Sequence, residues 1–163
     1  MDRTGSDQEL TADQQIARMA DEYPGFAVLH STSWIILWRG TLIPYARRYE
    51  VQLVYSAVSM RLANITARTV HVEVVKPVLT RSPEHPALAI PHVYANRLFP
   101  TRPRLCLHTD LEWTPAMYIA DTIVPWTVEW LAAYEGWRAT GTWYAGGHGS
   151  ERESLPQPRR GRR

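Results

Sequence analysis

The stretch "YEVQLVYS" at residues 49–56 alternates between two kinds of side chain. Apolar and aromatic residues occupy the odd positions, and most of the even positions are polar. Because successive side chains of a β-strand point to opposite faces, a period of two is typical of a strand with one buried face. The stretch therefore predicts a half-buried strand, around which the other elements are arranged.

Three similar runs lie on either side of this strand. They are "FAVLH" at residues 26–30, "WIILWRG" at residues 34–40 and "TVHVEVV" at residues 69–75. The spacers between consecutive runs are too short for crossover helices, which favours an antiparallel meander of about four strands. The segment "SMRLANITAR", at residues 59–68, either extends a strand or forms a loop.

A helical pattern lies at each end of the meander. Residues 10–25, "LTADQQIARMADEYPG", open with a capping box at 11–14 and carry apolar residues at helical spacing. Residues 118–141, "YIADTIVPWTVEWLAAYEGWRATG", carry apolar and aromatic residues, three of them tryptophans, at steps of roughly three to four, and Gly136 or Gly141 is expected to end this second helix. Two helices and a meander predict an α+β fold.

Length and composition bound the class of protein. A chain of 163 residues with 45% hydrophobic content predicts one globular domain. Its single cysteine forms no internal disulfide, and nothing resembles a signal peptide, so a reducing, cytoplasmic location is expected. No run approaches the roughly 18 to 20 apolar residues of a membrane-spanning helix.

The charge is concentrated at the C-terminus. The formal net charge is +2, and the last thirteen residues hold five arginines against two glutamates, so the rest of the chain carries about −1. A body of that charge argues against direct binding of nucleic acid. We predict a flexible N-terminus at 1–9, a domain at 10–148 and a disordered Arg-rich tail at 149–163.

Cys106, the single cysteine, lies in "RPRLCLHTD" at residues 102–110. By composition, a lone cysteine between two leucines is more often a small core residue than a nucleophile. However, it ends a proline-rich stretch after Lys76 that is predicted to be a long ordered loop, where functional residues concentrate. Four neighbours can stabilise a thiolate, namely His92, Arg102, Arg104 and His108.

Two uses of this thiol besides packing stay open on the residues alone. A Cys–His pair of the protease type would take His92 or His108 as its base. A metal site would combine the thiol with several histidines, but the spacings match no zinc signature, so no metal is expected. The histidines concerned are His85, His92, His108 and His148.

Two longer stretches carry a family resemblance. They are "IPHVYANRLFPTRPRLCLHTDLEW" at residues 90–113 and "IADTIVPWTVEWLAAYEGWRATGTWYAGGHG" at residues 119–149. With the order of elements, they resemble the ubiquitin-conjugating enzymes, in particular the stand-alone bacterial branch of type II CBASS anti-phage systems. The resemblance covers roughly residues 10–148. It implies the ubiquitin-conjugating fold: an N-terminal helix, a four-stranded antiparallel meander, a long loop with the active-site cysteine and a Trp-rich C-terminal helix.

The resemblance also implies an activity. Cys106 would be the nucleophile of a thioester carrier, and His92, as the family histidine, would be either a second catalytic residue or a structural brace. The acyl donor would be a cGAS/DncV-like nucleotidyltransferase, whose C-terminal carbonyl passes to lysines of target proteins in antiviral signalling. No cofactor is implied, and a homodimer is one option for assembly. Either the activating step comes from elsewhere or the acyl donor arrives already activated. The alternatives are an inactive scaffold of the same fold and a hydrolase that removes such conjugates.

The sequence departs from the family pattern beside His92 and beside Cys106. Residues 93–94 are Val and Tyr where the family has Pro and Asn, so the amide that stabilises the oxyanion is missing there. The candidates to replace it are Asn96, the ring of His92 and a backbone N–H. His108 stands where the family often has an aspartate, and its role stays open. A nucleophilic Cys106 should be partly exposed, with His92 close by.

Overall fold

The computed structural model describes residues 8–56, 70–109 and 112–144. The predicted tail at 149–163, the segment "SMRLANITAR" and His148 lie outside these ranges, as does most of the predicted N-terminal extension. Two helices and six strands are described. They are α1 (Ala12–Glu22), β1 (Ala27–Ser31), β2 (Ile35–Leu42), β3 (Tyr49–Ser56), β4 (Val70–Lys76), β5 (Val93–Tyr94), β6 (Arg104–Leu105) and α2 (Ile123–Thr140).

The strands form one antiparallel sheet in the order β1-β2-β3-β4-β6-β5. The predicted four-strand meander is confirmed, and β3 lies inside it with Leu53 opposite Trp38 of β2 and Val72 of β4. All three side chains are fully buried. The alternation of residues 49–56 therefore does mark one face of the sheet as the core.

The stretch after Lys76 is not only a loop, which corrects the sequence prediction. Strands β5 and β6 pair with each other, and β6 also pairs with β4 through Glu73 and Arg104. Each of these strands has only two residues, too few for a period of two to be recognised in the sequence. The consequence is that Cys106 follows directly after a strand of the sheet.

Helix α1 begins as predicted and is fixed to the chain ahead of α2. The Thr11 hydroxyl accepts a hydrogen bond from Gln14 N at 3.2 Å, and Gln14 Oε1 accepts one from Thr11 N at 2.8 Å. The buried Gln15 amide donates to Met117 O at 2.9 Å and accepts from Ile119 N at 3.0 Å. A buried polar side chain thus satisfies two backbone groups far away in sequence.

Helix α2 continues through Gly136 and ends at Gly141, whose φ of 75° is left-handed. Its aromatic residues Trp130, Tyr134 and Trp137 are buried. The Tyr134 hydroxyl accepts from Thr80 N at 2.8 Å and donates to Thr80 O at 2.9 Å, which holds the helix against the chain after β4. In the described part of the chain, neither helix is long and apolar enough to cross a membrane.

Candidate functional site

The thiol of Cys106 lies where the short ladder of β5 and β6 ends. Val93 is opposite Leu105, and the ladder continues by one hydrogen bond, from Cys106 N to His92 O at 2.9 Å. Leu105 is buried and Leu107 packs partly buried against the core, whereas Cys106 itself is half-buried. The two leucines anchor the chain on either side of a cysteine that is only partly buried.

His92 contributes to this site through its backbone. Its carbonyl accepts two hydrogen bonds, from Cys106 N and from the indole Nε1 of Trp130 at 3.0 Å. It therefore connects the cysteine strand to helix α2. The backbone φ of 51° is left-handed, a conformation in which histidine is enriched among non-glycine residues. The exposed imidazole packs on Trp143, with ring centroids 5.0 Å apart.

Tyr94 makes a direct contact with the thiol. Its hydroxyl oxygen lies 2.8 Å from Cys106 Sγ. Tyr94 is opposite Arg104 in the ladder, so Cys106 is its diagonal neighbour two residues further along the partner strand. Diagonal neighbours on one face are within reach of a long aromatic side chain. The sequence interpretation noted Tyr94 only as a departure from the family pattern; a recognised β5–β6 pairing would have indicated the contact.

Asn96 has a different environment from the one that an oxyanion donor requires. Its buried amide donates to Glu73 Oε1 and to Arg102 O, both at 3.0 Å. Its carbonyl oxygen accepts from Leu98 N at 3.1 Å and Phe99 N at 3.2 Å. Both amide hydrogens are therefore used within the β5–β6 connection. This geometry argues against the expectation that Asn96 replaces the family amide and favours a role in shaping the connection.

His108 lies between aromatic rings. Its Nδ1 is 2.8 Å from Thr109 O. Because a carbonyl oxygen only accepts, this nitrogen carries the ring hydrogen and donates a hydrogen bond to the carbonyl. The half-buried ring is 5.8 Å from the ring of Trp126 and 6.2 Å from that of Trp113, centroid to centroid. These contacts place His108 at the edge of the core, where it packs against aromatic neighbours.

Three of the four histidines considered from sequence lie in the described ranges, and these three do not come together. His85 lies at the end of α2, where a Cβ on Gly141 would overlap the His85 ring. His92 and His108 have the separate contacts given above, and His148 is outside the described ranges. Within residues 8–56, 70–109 and 112–144, no three His, Cys, Asp or Glu side chains form a group that could hold a metal ion.

The segment that carries the thiol is basic and partly apolar. Residues 92–109 contain three arginines and no acidic residue. Arg97 and Arg104 are exposed, and the guanidinium of Arg102 lies 5.4 Å from the ring centre of Phe99. Leu98, at the tip of the connection, is 80% exposed. An exposed apolar tip among cations is a surface that can contact another protein.

The fold and the site together define a class of protein. It is an α+β protein whose single cysteine is half-buried at the end of a sheet strand. A tyrosine hydroxyl contacts the thiol, and two leucines anchor the chain on either side of it. A family model described as the type II CBASS E2 protein matches residues 15–151. The chain belongs to this family, which confirms the resemblance found in the sequence and supports an E2-like role among CBASS components. A comparison with curated proteins gives no match.

Proposed function

We propose that the protein is a ubiquitin-conjugating-like thioester carrier in which Cys106 is the nucleophile. The acyl donor is the C-terminus of a cGAS-like nucleotidyltransferase, and the acceptors are lysine amines of target proteins in the bacterial cytoplasm. Membership of the type II CBASS E2 family supports this class of activity. The arrangement of α1, the sheet and α2 is compatible with a ubiquitin-conjugating-like fold.

The observation that carries the proposal is the partial exposure of Cys106, whose thiol contacts a hydroxyl. A cysteine that served only as a small core residue would be enclosed by its leucine neighbours, as free cysteines commonly are. Here Leu105 and Leu107 are directed to the core, while Cys106 between them is only partly buried and its sulfur contacts a hydroxyl. An accessible, positioned thiol is what an acyl carrier requires.

The proposed chemistry consists of two acyl transfers. In the first, the Cys106 thiolate attacks an activated carbonyl, a C–S bond forms, and the activating group leaves with its electron pair. In the second, a neutral lysine amine attacks the thioester, the amide C–N bond forms, the amine loses a proton to solvent, and the thiolate departs. Each transfer passes through a tetrahedral oxyanion, so each depends on a hydrogen-bond donor beside the sulfur.

A non-reducing gel tests the carrier. The full chain, mixed with its nucleotidyltransferase and the activating components of the same system, should give a higher-mass band that reductant removes. Cys106→Ala should give no such band, because it lacks the nucleophile. Cys106→Ser is the matched control and should trap an oxygen ester that survives thiol reductant. Identical behaviour of the wild type and Cys106→Ala would contradict the carrier.

A scaffold that binds the nucleotidyltransferase without chemistry is the alternative function. The exposed Leu98 and Phe99 favour it, since both side chains project from a braced connection beside the site. In this case, co-purification of the two proteins should be the same for the wild type and Cys106→Ala, and no reducible band should form. Cleavage of preformed conjugates by the wild type alone would instead indicate the hydrolase.

A further inference from the structure

We propose that Tyr94 is a catalytic residue that supplies the oxyanion donor of this site. Its phenol O–H donates a hydrogen bond to the Cys106 sulfur in the resting protein and to the carbonyl oxygen during each acyl transfer. This inference rests on the proposed thioester chemistry of Cys106. It assigns a chemical role to the residue that stands where the family pattern has an asparagine.

The geometry of the β5–β6 ladder carries the argument. Val93 and Leu105 face each other on the core side, so the adjacent pair Tyr94 and Arg104 belongs to the opposite, solvent-facing side. Cys106 lies two residues from Arg104 and shares that side. The phenol therefore crosses the ladder diagonally over the surface, and its oxygen ends 2.8 Å from Sγ. An asparagine at the same place would be too short to make this reach.

Three other donors in the segment around the thiol are engaged elsewhere. Both amide hydrogens of Asn96 are used by Glu73 and Arg102. The Cys106 N–H donates to the His92 carbonyl, and His108 Nδ1 donates to Thr109 O. By contrast, the Tyr94 hydroxyl is already in contact with the reacting atom, so it can donate there without reorganisation of the backbone.

The same hydroxyl can follow the charge as it develops. When the thiolate attacks, the carbonyl π electron pair moves onto oxygen, and this oxygen is bonded to the carbon that has just bonded to sulfur. The oxyanion therefore forms next to the atom that the phenol already contacts, and a small torsional change moves the hydrogen bond from sulfur to oxygen. The phenol keeps its proton throughout, and the electron pair returns when the leaving group departs.

Tyr94→Phe is the test, because it removes only the hydroxyl and keeps the ring. We expect the single-turnover rate of thioester formation at saturating activated donor to fall by about 10² to 10³-fold, the usual cost of one oxyanion donor. The donor concentration for half-maximal rate should stay unchanged. Tyr45→Phe, at a tyrosine that is 72% exposed and outside the site, is the matched control and should keep the wild-type rate.

A second measurement needs no acyl donor. Alkylation of Cys106 by iodoacetamide in the full chain reports a single thiol, since the sequence has one cysteine. Loss of the hydroxyl that contacts Sγ should slow alkylation at a fixed pH in Tyr94→Phe and leave its rate unchanged in Tyr45→Phe. Equal thermal unfolding of the three proteins would exclude a folding defect as the cause.

The outcomes separate the two proposals. Wild-type protein that forms no thioester overturns the carrier and the role of Tyr94 with it. Wild-type protein that forms thioester at the same rate as Tyr94→Phe overturns the role of Tyr94 alone and leaves the carrier intact. A large loss of rate in Tyr94→Phe, with unchanged donor affinity and unfolding temperature, supports both.

Discussion

At the scale of single residues, His92 illustrates how a histidine can matter through its backbone. Its carbonyl accepts from Cys106 N and from Trp130, while its ring packs on Trp143. The left-handed φ of 51° aims the carbonyl at both donors at some conformational cost. This arrangement favours the interpretation of the family histidine as a structural brace, which the sequence left undecided between structure and catalysis.

A pair of substitutions tests the brace. His92→Gly and His92→Ala both remove the ring, but only alanine has to adopt the left-handed conformation with a Cβ. We therefore expect His92→Ala to be less stable than His92→Gly by about 1 kcal/mol in urea unfolding. If the ring is dispensable, both variants should retain thioester formation. A loss of about 10²-fold or more in His92→Gly would instead indicate acid–base catalysis by the imidazole.

Trp130 is the second residue on which the brace depends. Trp130→Phe keeps an aromatic ring in the core but removes the indole N–H that donates to His92 O. The expected loss of unfolding free energy is about 1 kcal/mol beyond the change in packing, because a hydrogen bond to a partly buried carbonyl is lost. Urea unfolding measures the loss, and slower alkylation of Cys106 by iodoacetamide would show that the thiol has moved. Unchanged values in both measurements would contradict the coupling.

At the scale of elements, the surroundings of one glycine, Gly141, determine where α2 ends. Gly136 lies within the helix, and a Cβ there would meet nothing within 4 Å. At Gly141 the backbone is left-handed, its N–H donates to Trp137 O at 2.7 Å, and the ring of His85 lies against it. The sequence predicted that either glycine could end the helix. The left-handed backbone and the contact with His85 identify Gly141 as the end.

Alanine at these two glycines should have opposite effects. Gly136→Ala should stabilise the protein by up to about 1 kcal/mol, since alanine is the better helix former and the site is open. Gly141→Ala should destabilise it by about 1 kcal/mol or more, because of the positive φ and the close contact with His85. Thermal unfolding of the two variants measures the contrast. Equal shifts of the same sign would contradict the assigned end of α2.

At the scale of the whole molecule, tyrosines buried in the core link folding to alkaline pH. Burial raises the pKa of Tyr49, and the neighbouring carboxylate of Glu135 raises it further. Burial also raises the pKa of Tyr55 and of Tyr23. The unfolded chain therefore loses phenol protons at a lower pH than the folded chain, so the stabilisation is complete below the ordinary tyrosine pKa of about 10 and decreases as pH rises above it.

Tyr49→Phe should reduce this dependence. The difference in unfolding free energy between about pH 8 and about pH 11 should be smaller in the variant than in the wild type, because one phenol no longer titrates. Tyr45→Phe removes an exposed phenol and should keep the wild-type difference. Urea unfolding at the two pH values provides the comparison. An equal difference in all three proteins would mean that Tyr49 does not contribute.

The sequence by itself determined the elements that have long patterns. The alternation of residues 49–56 marked the core face of β3, the capping box marked the start of α1, and the aromatic spacing marked α2. It also determined the family, since residues 15–151 match the type II CBASS E2 model. The signals for β3, α1 and α2 are local, because a strand or helix of eight or more residues repeats its period several times.

Only the tertiary structure decided what surrounds the thiol. Strands β5 and β6 have two residues each, so no local sequence pattern reveals them. They form because the edge of β4 offers backbone groups with which β6 pairs, and β5 pairs in turn with β6. Their pairing brings Tyr94 to Cys106 across twelve positions of sequence and uses the Asn96 amide to close the connection. Contacts of this kind depend on register and on which hydrogen bonds are already made, and both are properties of the folded chain.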